Sequence, residues 1–173
     1  MSTSCYSYVG PMILIPEKNV DVEQRCCINS DCFKKCHVTD ANFCPLCSER
    51  VGISINSVPV IDHYKWYMNW QDIPGIDRHI AGVALSENMT PDELHCAFED
   101  FFTTIDNHIV HEKYCYKIDD FTGDDCVQFT PKSLSDMCDE YRNDDLVKLF
   151  IKVLSLTLQE NVDVFCGHKL YSL

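Results

Sequence analysis

Six cysteines fall within 22 residues, from Cys26 to Cys47, in a chain of 173 residues that holds twelve cysteines altogether. The other six are spread over the rest of the chain, so this cluster constrains the fold more than any other feature. The N-terminal residues lack the basic region and apolar core of a signal peptide, and we therefore expect a reducing cytoplasm. In such a compartment clustered cysteines indicate a metal site rather than disulfides.

The spacing of these cysteines indicates a tetrahedral zinc site. Cys44 and Cys47 enclose two residues, a turn that places two thiolates and neighbouring backbone amides around one ion. Cys27 and Cys32 enclose four residues, and eleven residues separate this pair from Cys44. We therefore predict that zinc is bound by Cys27, Cys32, Cys44 and Cys47. Four cysteine ligands leave zinc no open position, so the site is expected to stabilise the fold and to catalyse nothing.

Other ligands and a metal-free interpretation stay open at this point. Cys36 would replace Cys27 in a second ligand set, and His37 is a further substitute. Cys26 is expected to point away from the site, because neighbouring side chains of a strand lie on opposite faces. Without a metal, the cluster would be a group of structural thiols or a redox pair, although the flanking residues do not follow the βαβ pattern of thioredoxin-like proteins.

The segment around the cluster resembles a zinc ribbon over about residues 20 to 56. A strand leads in from Val20, and a strand with Val51, Ile53 and Ile55 on one face leads out. Ser48 occupies a position that is often glycine in ribbons. More loosely, residues 1–11 followed by such a ribbon are similar to small uncharacterised proteins of tailed bacteriophages. This similarity implies synthesis in the cytoplasm of a bacterial host, and it implies no known activity.

The remaining sequence predicts an α+β fold in which the ribbon packs on an acidic mixed α/β domain. Residues 51–85 are interpreted as strand-rich, and residues 162–167 are interpreted as a closing strand. We place one domain boundary, which separates an N-terminal segment with the ribbon at residues 1–56 from the acidic domain at residues 57–173. The longest apolar segment, residues 146–158, is too short to span a membrane.

Capping residues and prolines mark three helix starts, at Thr90–Pro91, Thr130–Pro131 and Asp144–Asp145. The first of these helices is predicted to continue as far as Ile105, because apolar residues recur at helical spacing. The last helix is apolar on most sides and is predicted to be central. Its core residues are predicted to be Leu149, Phe150, Val153 and Leu154.

Acidic side chains outnumber basic ones by 27 to 14, which gives a net charge of −13. Residues 51–173 account for −12 of it. This excess excludes a protein whose whole surface follows nucleic-acid phosphates, and it favours a basic partner. Acids concentrate between residues 119 and 145, and we predict a partner-facing surface there with Asp119, Asp120, Asp124 and Asp125. These residues lack the ligand pattern of a calcium-binding loop.

The sequence favours a non-enzymatic binding protein, in which a zinc ribbon braces an acidic domain that docks on a basic protein surface. If the protein is phage-encoded, the partner is expected to be a host protein that handles nucleic acid or acts in defence. The alternative is a nucleic-acid-binding zinc-ribbon protein that contacts phosphates through Arg25, Lys34, Lys35 and Arg50. An enzyme is the third class, supported by scattered His, Asp and Cys side chains.

Two further groups of residues each allow two interpretations. On a continuous helix, His108, His111 and Cys115 would share one face and could bind a second metal, whereas a helix end followed by a strand would turn Cys115 away. An aromatic group is interpreted as a corner of the core, with a partner-binding patch as the alternative. Its members are Tyr64, Trp66, Tyr67 and Trp70.

Overall fold

The computed structural model describes residues 5–29, 31–32, 41–61, 69–111, 113–119 and 131–172. It contains both helices and antiparallel sheets, which confirms the predicted α+β class. The chain divides into two compact units. The larger unit comprises residues 1–18 and 60–173, and the smaller unit comprises residues 19–59.

Strand β1 (Cys5–Leu14) is the centre of the sheet in the larger unit. One edge of β1 pairs along most of its length with the last strand, which we number β7 (Val164–Ser172). The other edge is shared by β6 (Tyr116–Asp119) and by β5 (His108–Val110). Strand β4 (Thr103–Ile105) lies beside β5, and all of these pairs are antiparallel. The sheet therefore joins the first strand of the chain to the last one, as the predicted closing strand requires.

Four helices are seen in the described part of the larger unit. They are α1 (Ile76–Ser86), α2 (Pro91–Phe101), α3 (Pro131–Asn143) and α4 (Asp145–Leu158), with a 3₁₀ turn at Trp70–Asp72 before α1. The predicted cap of α2 is confirmed, because the Thr90 hydroxyl accepts the N–H of Glu93 at 3.2 Å and the Glu93 carboxylate accepts the N–H of Thr90 at 2.8 Å. The Asp144 carboxylate likewise caps α4.

The core of the larger unit is built around four aromatic rings. The Phe150 ring lies 4.0 Å from that of Phe102, 4.9 Å from that of Phe98 and 5.4 Å from that of Trp70, measured between ring centres. All four side chains are buried. Such stacked and edge-to-face contacts stabilise a core beyond the burial of apolar area alone. Trp70 therefore belongs to the core, while the other three members of its aromatic group lie outside the described residues.

Helix α4 supplies the central apolar surface of this core. Phe150, Val153 and Leu154 are buried as predicted, and Leu149 is half-buried. The buried positions recur at the spacing of one helix face, so the helix directs a continuous apolar stripe inward.

The smaller unit is a long two-stranded antiparallel sheet with the cysteine cluster at one end. Strand β2 (Asn19–Cys27) pairs with β3 (Val51–Pro59) in a continuous register from Asn19 opposite Pro59 to Cys27 opposite Val51. These are the strands that the sequence predicts on either side of the two cysteine pairs. We call the turn from Cys27 to Cys32 the first knuckle and the turn from Cys44 to Cys47 the second knuckle. The chain enters and leaves the smaller unit at adjacent points, where the Val60 N–H donates to the Lys18 carbonyl oxygen at 2.8 Å.

Two predicted elements of the larger unit are wrong. Residues 76–86 form α1 and not a strand, because Ile76, Ile80 and Val83 follow a helical spacing and are all buried. Helix α2 ends at Phe101, and Ile105 lies in β4. The turn at Asp106, which has a φ of 52°, then reverses the chain into β5.

The observed division of the chain differs from a boundary at residue 56. Residues 5–14 do not accompany the ribbon, because their backbone pairs with β5, β6 and β7 in the larger unit. The smaller unit is therefore an insertion between the first strand of the larger unit and the rest of it.

Gly10 lies in the middle of β1 with a φ of +149°, a conformation that L side chains rarely adopt. A Cβ at this position would lie 2.8 Å from the Tyr114 carbonyl oxygen and 3.1 Å from the Cys115 Sγ. Replacing Gly10 with alanine is therefore expected to lower the free energy of unfolding by about 2 to 4 kcal/mol, through backbone strain and crowding. Urea denaturation measures this change.

Gly82→Ala in α1 is the matched control for that variant. No atom lies within 4 Å of a Cβ added at Gly82, so alanine there is expected to raise stability by up to about 1 kcal/mol. If Gly10→Ala has the denaturation midpoint of the parent, the close approach of residues 114–115 to β1 is not a feature of the folded protein.

Candidate metal centre

The second knuckle is a tight turn held by its own backbone. Phe43 and Arg50 form an antiparallel bridge, and inside it the Cys44 N–H donates to the Glu49 carbonyl oxygen at 2.7 Å. The Ser48 N–H donates back to the Cys44 carbonyl oxygen at 2.8 Å. These bonds close the turn over residues 45–47 and place the side chains of Cys44 and Cys47 on the same side of it.

The first knuckle follows directly from the end of β2. The Cys32 N–H donates to the Asn29 carbonyl oxygen at 3.2 Å, which folds the chain back toward Cys27. The Asn29 N–H lies 3.4 Å from the Cys27 Sγ and donates to it. A further bond, from the Ile28 N–H to the Arg50 carbonyl oxygen at 3.2 Å, fixes the first knuckle against the second.

The four predicted thiols converge. Their Sγ atoms all lie within 4.8 Å of one another, with 3.3 Å between Cys27 and Cys47 and 3.8 Å between Cys32 and Cys44. All four cysteines are free, and these distances are far longer than a disulfide bond. Four sulfurs at about 2.3 Å from a central zinc ion would lie about 3.8 Å apart. The group is therefore able to hold one tetrahedral metal ion.

The thiols of this group differ strongly in pKa. The pKa of Cys44 is lowered to about 6, chiefly because the backbone N–H of Leu46 donates to its sulfur. The pKa of Cys32 is raised to about 12, because burial disfavours its thiolate and the neighbouring thiols add to the effect. A central cation favours the thiolate form of every ligand, so metal binding is expected to release protons from the group.

Arg25 holds the segment before the second knuckle. Its guanidinium donates to the Ala41 carbonyl oxygen at 3.2 Å and to the Asn42 Oδ1 at 3.3 Å. The sequence presents Arg25 as a phosphate contact, whereas in the structure this side chain bonds to the loop that carries Cys44. No local sequence pattern points to this role, because the contact joins residues 16 and 17 positions apart in the chain.

The remaining predicted site residues are placed as follows. Cys26 is not a member of the group, and the alternation of β2 puts it on the face opposite Cys27, as predicted. The substitutes Cys36 and His37 lie outside the described residues. Of the predicted partner-binding acids, Asp119 ends strand β6, and Asp120, Asp124 and Asp125 lie outside the described residues.

A second metal site at His108, His111 and Cys115 is not formed. His108 lies in β5 and Cys115 lies in the turn before β6, so these residues do not share a helix face. Cys115 is buried, and its thiol donates to the Pro11 carbonyl oxygen at 3.1 Å. Burial raises the pKa of Cys115 to about 12, as expected of a thiol packed in a core. Over the described ranges, the four ribbon cysteines are the group of ligand atoms that converges.

Ser48 adopts a φ of 61°, the left-handed conformation that the turn after Cys47 requires. Non-glycine residues pay a strain for this conformation, so Ser48→Gly is expected to stabilise the smaller unit by about 0.5 to 1 kcal/mol. Slower metal transfer to a chelator than in the parent would show this gain. Faster transfer would contradict the assigned turn.

Comparison with known proteins finds no match among protein-family models, curated proteins or solved structures. In the parts of the chain that the structure describes, no helix has both the length and the apolar character needed to cross a membrane. The interpretation of the metal centre therefore rests on its own geometry.

Proposed function

We propose that the smaller unit binds one structural zinc ion through Cys27, Cys32, Cys44 and Cys47. The convergence of the four Sγ atoms within 4.8 Å supports this proposal. Thiolates favour soft or borderline metals over magnesium and calcium, and tetrahedral sets of four cysteines on two knuckles are typical of zinc.

In this site backbone groups of the chain orient the ligand sulfurs, and the number of protein ligands leaves no open coordination position. Backbone N–H groups at Asn29 and Leu46 donate to ligand sulfurs and favour the thiolate form. Four protein ligands leave no coordination position for a substrate, so the expected role of the ion is to hold the two knuckles together.

Cobalt substitution tests the ligand set directly. Co²⁺ added to the metal-free, reduced protein is expected to give the intense visible absorption of a tetrahedral four-thiolate complex. Cys44→Ser should weaken and shift that absorption, whereas Cys26→Ser, which alters a neighbouring thiol outside the group, should leave it unchanged. A spectrum typical of octahedral cobalt in the parent protein would contradict the four-thiolate site.

We further propose that the whole protein is a non-enzymatic binding protein that contacts a basic protein surface through its acidic larger unit. Of the net charge of −13, residues 51–173 carry −12. Exposed acids are present on the described helices as well, including Asp92, Glu99 and Asp100 on α2. The contact surface is assigned to Asp119, Asp120, Asp124 and Asp125. If the similarity to phage proteins is correct, the partner is a host protein that handles nucleic acid or acts in defence.

Nucleic-acid binding by the ribbon is the weaker candidate. The Arg25 side chain already bonds to the loop at residues 41–42, and the smaller unit has a net charge of −1. Phosphate binding depends on an excess of cations, which this unit does not have.

Matched charge-removal variants test the assigned surface. A partner is first isolated by affinity capture from bacterial lysate at moderate and high salt, and its association rate is then measured. Neutralising Asp119, Asp120, Asp124 and Asp125 is expected to slow association about tenfold at low salt, because clustered charge steers encounter. The control neutralises Asp77, Asp92, Glu99 and Asp100 and removes the same charge elsewhere. Equal slowing of association by both variants would show that the total charge of the protein, and not the assigned surface, determines the association rate.

A further inference from the structure

A pair of thiols outside the ribbon lies where helix α3 packs on strand β7. The side chains of Cys138 on α3 and Cys166 on β7 are hydrogen-bonded to each other, and both cysteines are free. One turn further along α3, the Arg142 guanidinium donates to the Asp163 carboxylate at 3.2 Å and to the Val164 carbonyl oxygen. These bonds hold the helix on the strand, so the two sulfurs are neighbours in the folded protein.

The two thiols differ in their access to solvent. Cys166 is exposed, whereas Cys138 has only 5% of its surface exposed. Burial raises the pKa of the Cys138 thiol to about 11, and its hydrogen bond to Cys166 adds to the effect. A small oxidant from solvent therefore reaches Cys166 first, while the Cys138 thiol beside it stays protonated.

A third thiol lies nearby but is bonded to the backbone. The Cys115 thiol donates to the Pro11 carbonyl oxygen at 3.1 Å, and Pro11 pairs with Cys166 in the β1–β7 register. The hydrogen of Cys115 is therefore directed to a carbonyl group and not to a sulfur. Cys138 is the thiol that hydrogen-bonds to Cys166 and is the better placed partner for it.

We propose that Cys166 and Cys138 form a reversible disulfide when the protein meets hydrogen peroxide. The Cys166 sulfur attacks one peroxide oxygen, the O–O bond breaks, and the leaving oxygen takes the thiol proton and departs as water. This step gives the sulfenic acid of Cys166. The Cys138 sulfur then attacks the Cys166 sulfur, the S–O bond breaks, and the Cys138 proton leaves with that oxygen as a second water molecule. Two thiols are oxidised by two electrons in total, and one peroxide is reduced to two waters.

This disulfide is independent of the metal centre. Cys138 and Cys166 belong to the larger unit, whereas the four converging thiols belong to the smaller unit. The bond joins α3 to β7 and uses no metal ligand. Disulfides in a reducing compartment are usually transient and redox-sensing, so a thiol reductant is expected to return both cysteines to the thiol form.

Peptide mapping of the full chain tests the pair. The protein is purified under reducing conditions without chelator, and the reductant is removed just before hydrogen peroxide is added. Trypsin cuts after lysine and arginine, so Cys138 is the one cysteine of the peptide 133–142 and Cys166 is the one cysteine of the peptide 153–169. We expect a small excess of peroxide to link these two peptides in most of the protein, and dithiothreitol to separate them.

The same map distinguishes Cys138 from the third thiol. Cys115 is the one cysteine of the peptide 114–117, so a bond from it to Cys166 gives a linked peptide of different mass. That product in place of the expected one would overturn the assigned pair. Oxidation of Cys166 without any link to Cys138 would overturn it as well.

Single-thiol variants test the order of the two steps. In Cys138→Ser the sulfenic acid of Cys166 loses its partner, so it should accumulate and be labelled by dimedone. Cys166→Ser changes an exposed side chain and leaves the core intact; it should abolish the link and leave Cys138 as a thiol. The control is Cys96→Ser, which removes another exposed thiol on α2 and should give the same link as the parent. Oxidation of Cys138 in Cys166→Ser as fast as in the parent would overturn the proposal.

Discussion

Truncation of Phe150 to alanine is expected to lower the free energy of unfolding of the larger unit by about 3 to 5 kcal/mol. The ring of Phe150 lies within 5.4 Å of those of Trp70, Phe98 and Phe102, and none of these side chains reaches the surface. Removal of the Phe150 ring leaves a cavity between these side chains, and the surrounding helices relax only partly into it. Because domains have only about 5 to 15 kcal/mol of stability, this loss would move the urea midpoint far toward zero.

Leu156→Ala is the control on the same helix. Leu156 is 50% exposed, so its truncation is expected to cost well under half as much as truncation of Phe150. Both transitions are followed by tryptophan fluorescence, to which Trp70 beside Phe150 contributes together with Trp66. Equal midpoints for the Phe150→Ala variant and the parent, at the same denaturant slope, would contradict the central position of α4.

Replacing Cys44 with serine is expected to remove the bound metal and to unfold the smaller unit alone. Structural zinc contributes an apparent binding free energy of about 10 to 16 kcal/mol to small modules of this kind, and that energy stabilises the fold. Amide hydrogens of β2 and β3 should therefore exchange at least about a hundredfold faster in the variant. Amides of β1 and β7 should keep their protection, because these strands belong to the other compact unit.

Cys26→Ser separates loss of a ligand from loss of a thiol. Cys26 neighbours Cys27 in β2 but is outside the converging group, so the variant should exchange like the parent. If Cys26→Ser destabilised β2 and β3 as much as Cys44→Ser does, the four-cysteine site would not be the source of their stability.

The candidate site could be predicted from the sequence because its four ligands lie close together along the chain. Two ligands, Cys44 and Cys47, lie in one tight turn, and the first pair begins at the last residue of an adjoining strand, Cys27. A tetrahedral ion accepts only a narrow set of spacings, so few combinations of cysteines are compatible with it. The role of Arg25 depends on how the loop folds back over the strand, and no local pattern contains that.

Strand β1 was harder to predict because it breaks a general rule for central strands. It contains Gly10 and Pro11, and proline lacks the N–H that a ladder needs. In the structure, β6 and β5 leave a gap beside residues 10–12 on one edge of β1. The Pro11 carbonyl oxygen accepts the Cys115 thiol there, so this edge requires no backbone donor from Pro11.

Helix α1 lies in the segment that the sequence analysis interprets as strand-rich. Its β-branched residues favour strands, whereas the spacing of Ile76, Ile80, Val83 and Ala84 is that of a helix face. The buried positions follow the helical period, so periodicity was the better guide than propensity. The proposed partner surface would depend on tertiary and intermolecular contacts, so the charge of the sequence indicates its sign more directly than its position.

Elemental analysis of the purified, reduced protein tests the central claim most directly. The chain is expressed without added metal, dialysed, and measured beside its Cys44→Ser and Cys26→Ser variants. We expect about one zinc ion per chain in the parent and in Cys26→Ser, and less than about a tenth of that in Cys44→Ser. A parent protein with no stoichiometric metal, or with equal zinc in all three proteins, would contradict zinc binding by Cys27, Cys32, Cys44 and Cys47.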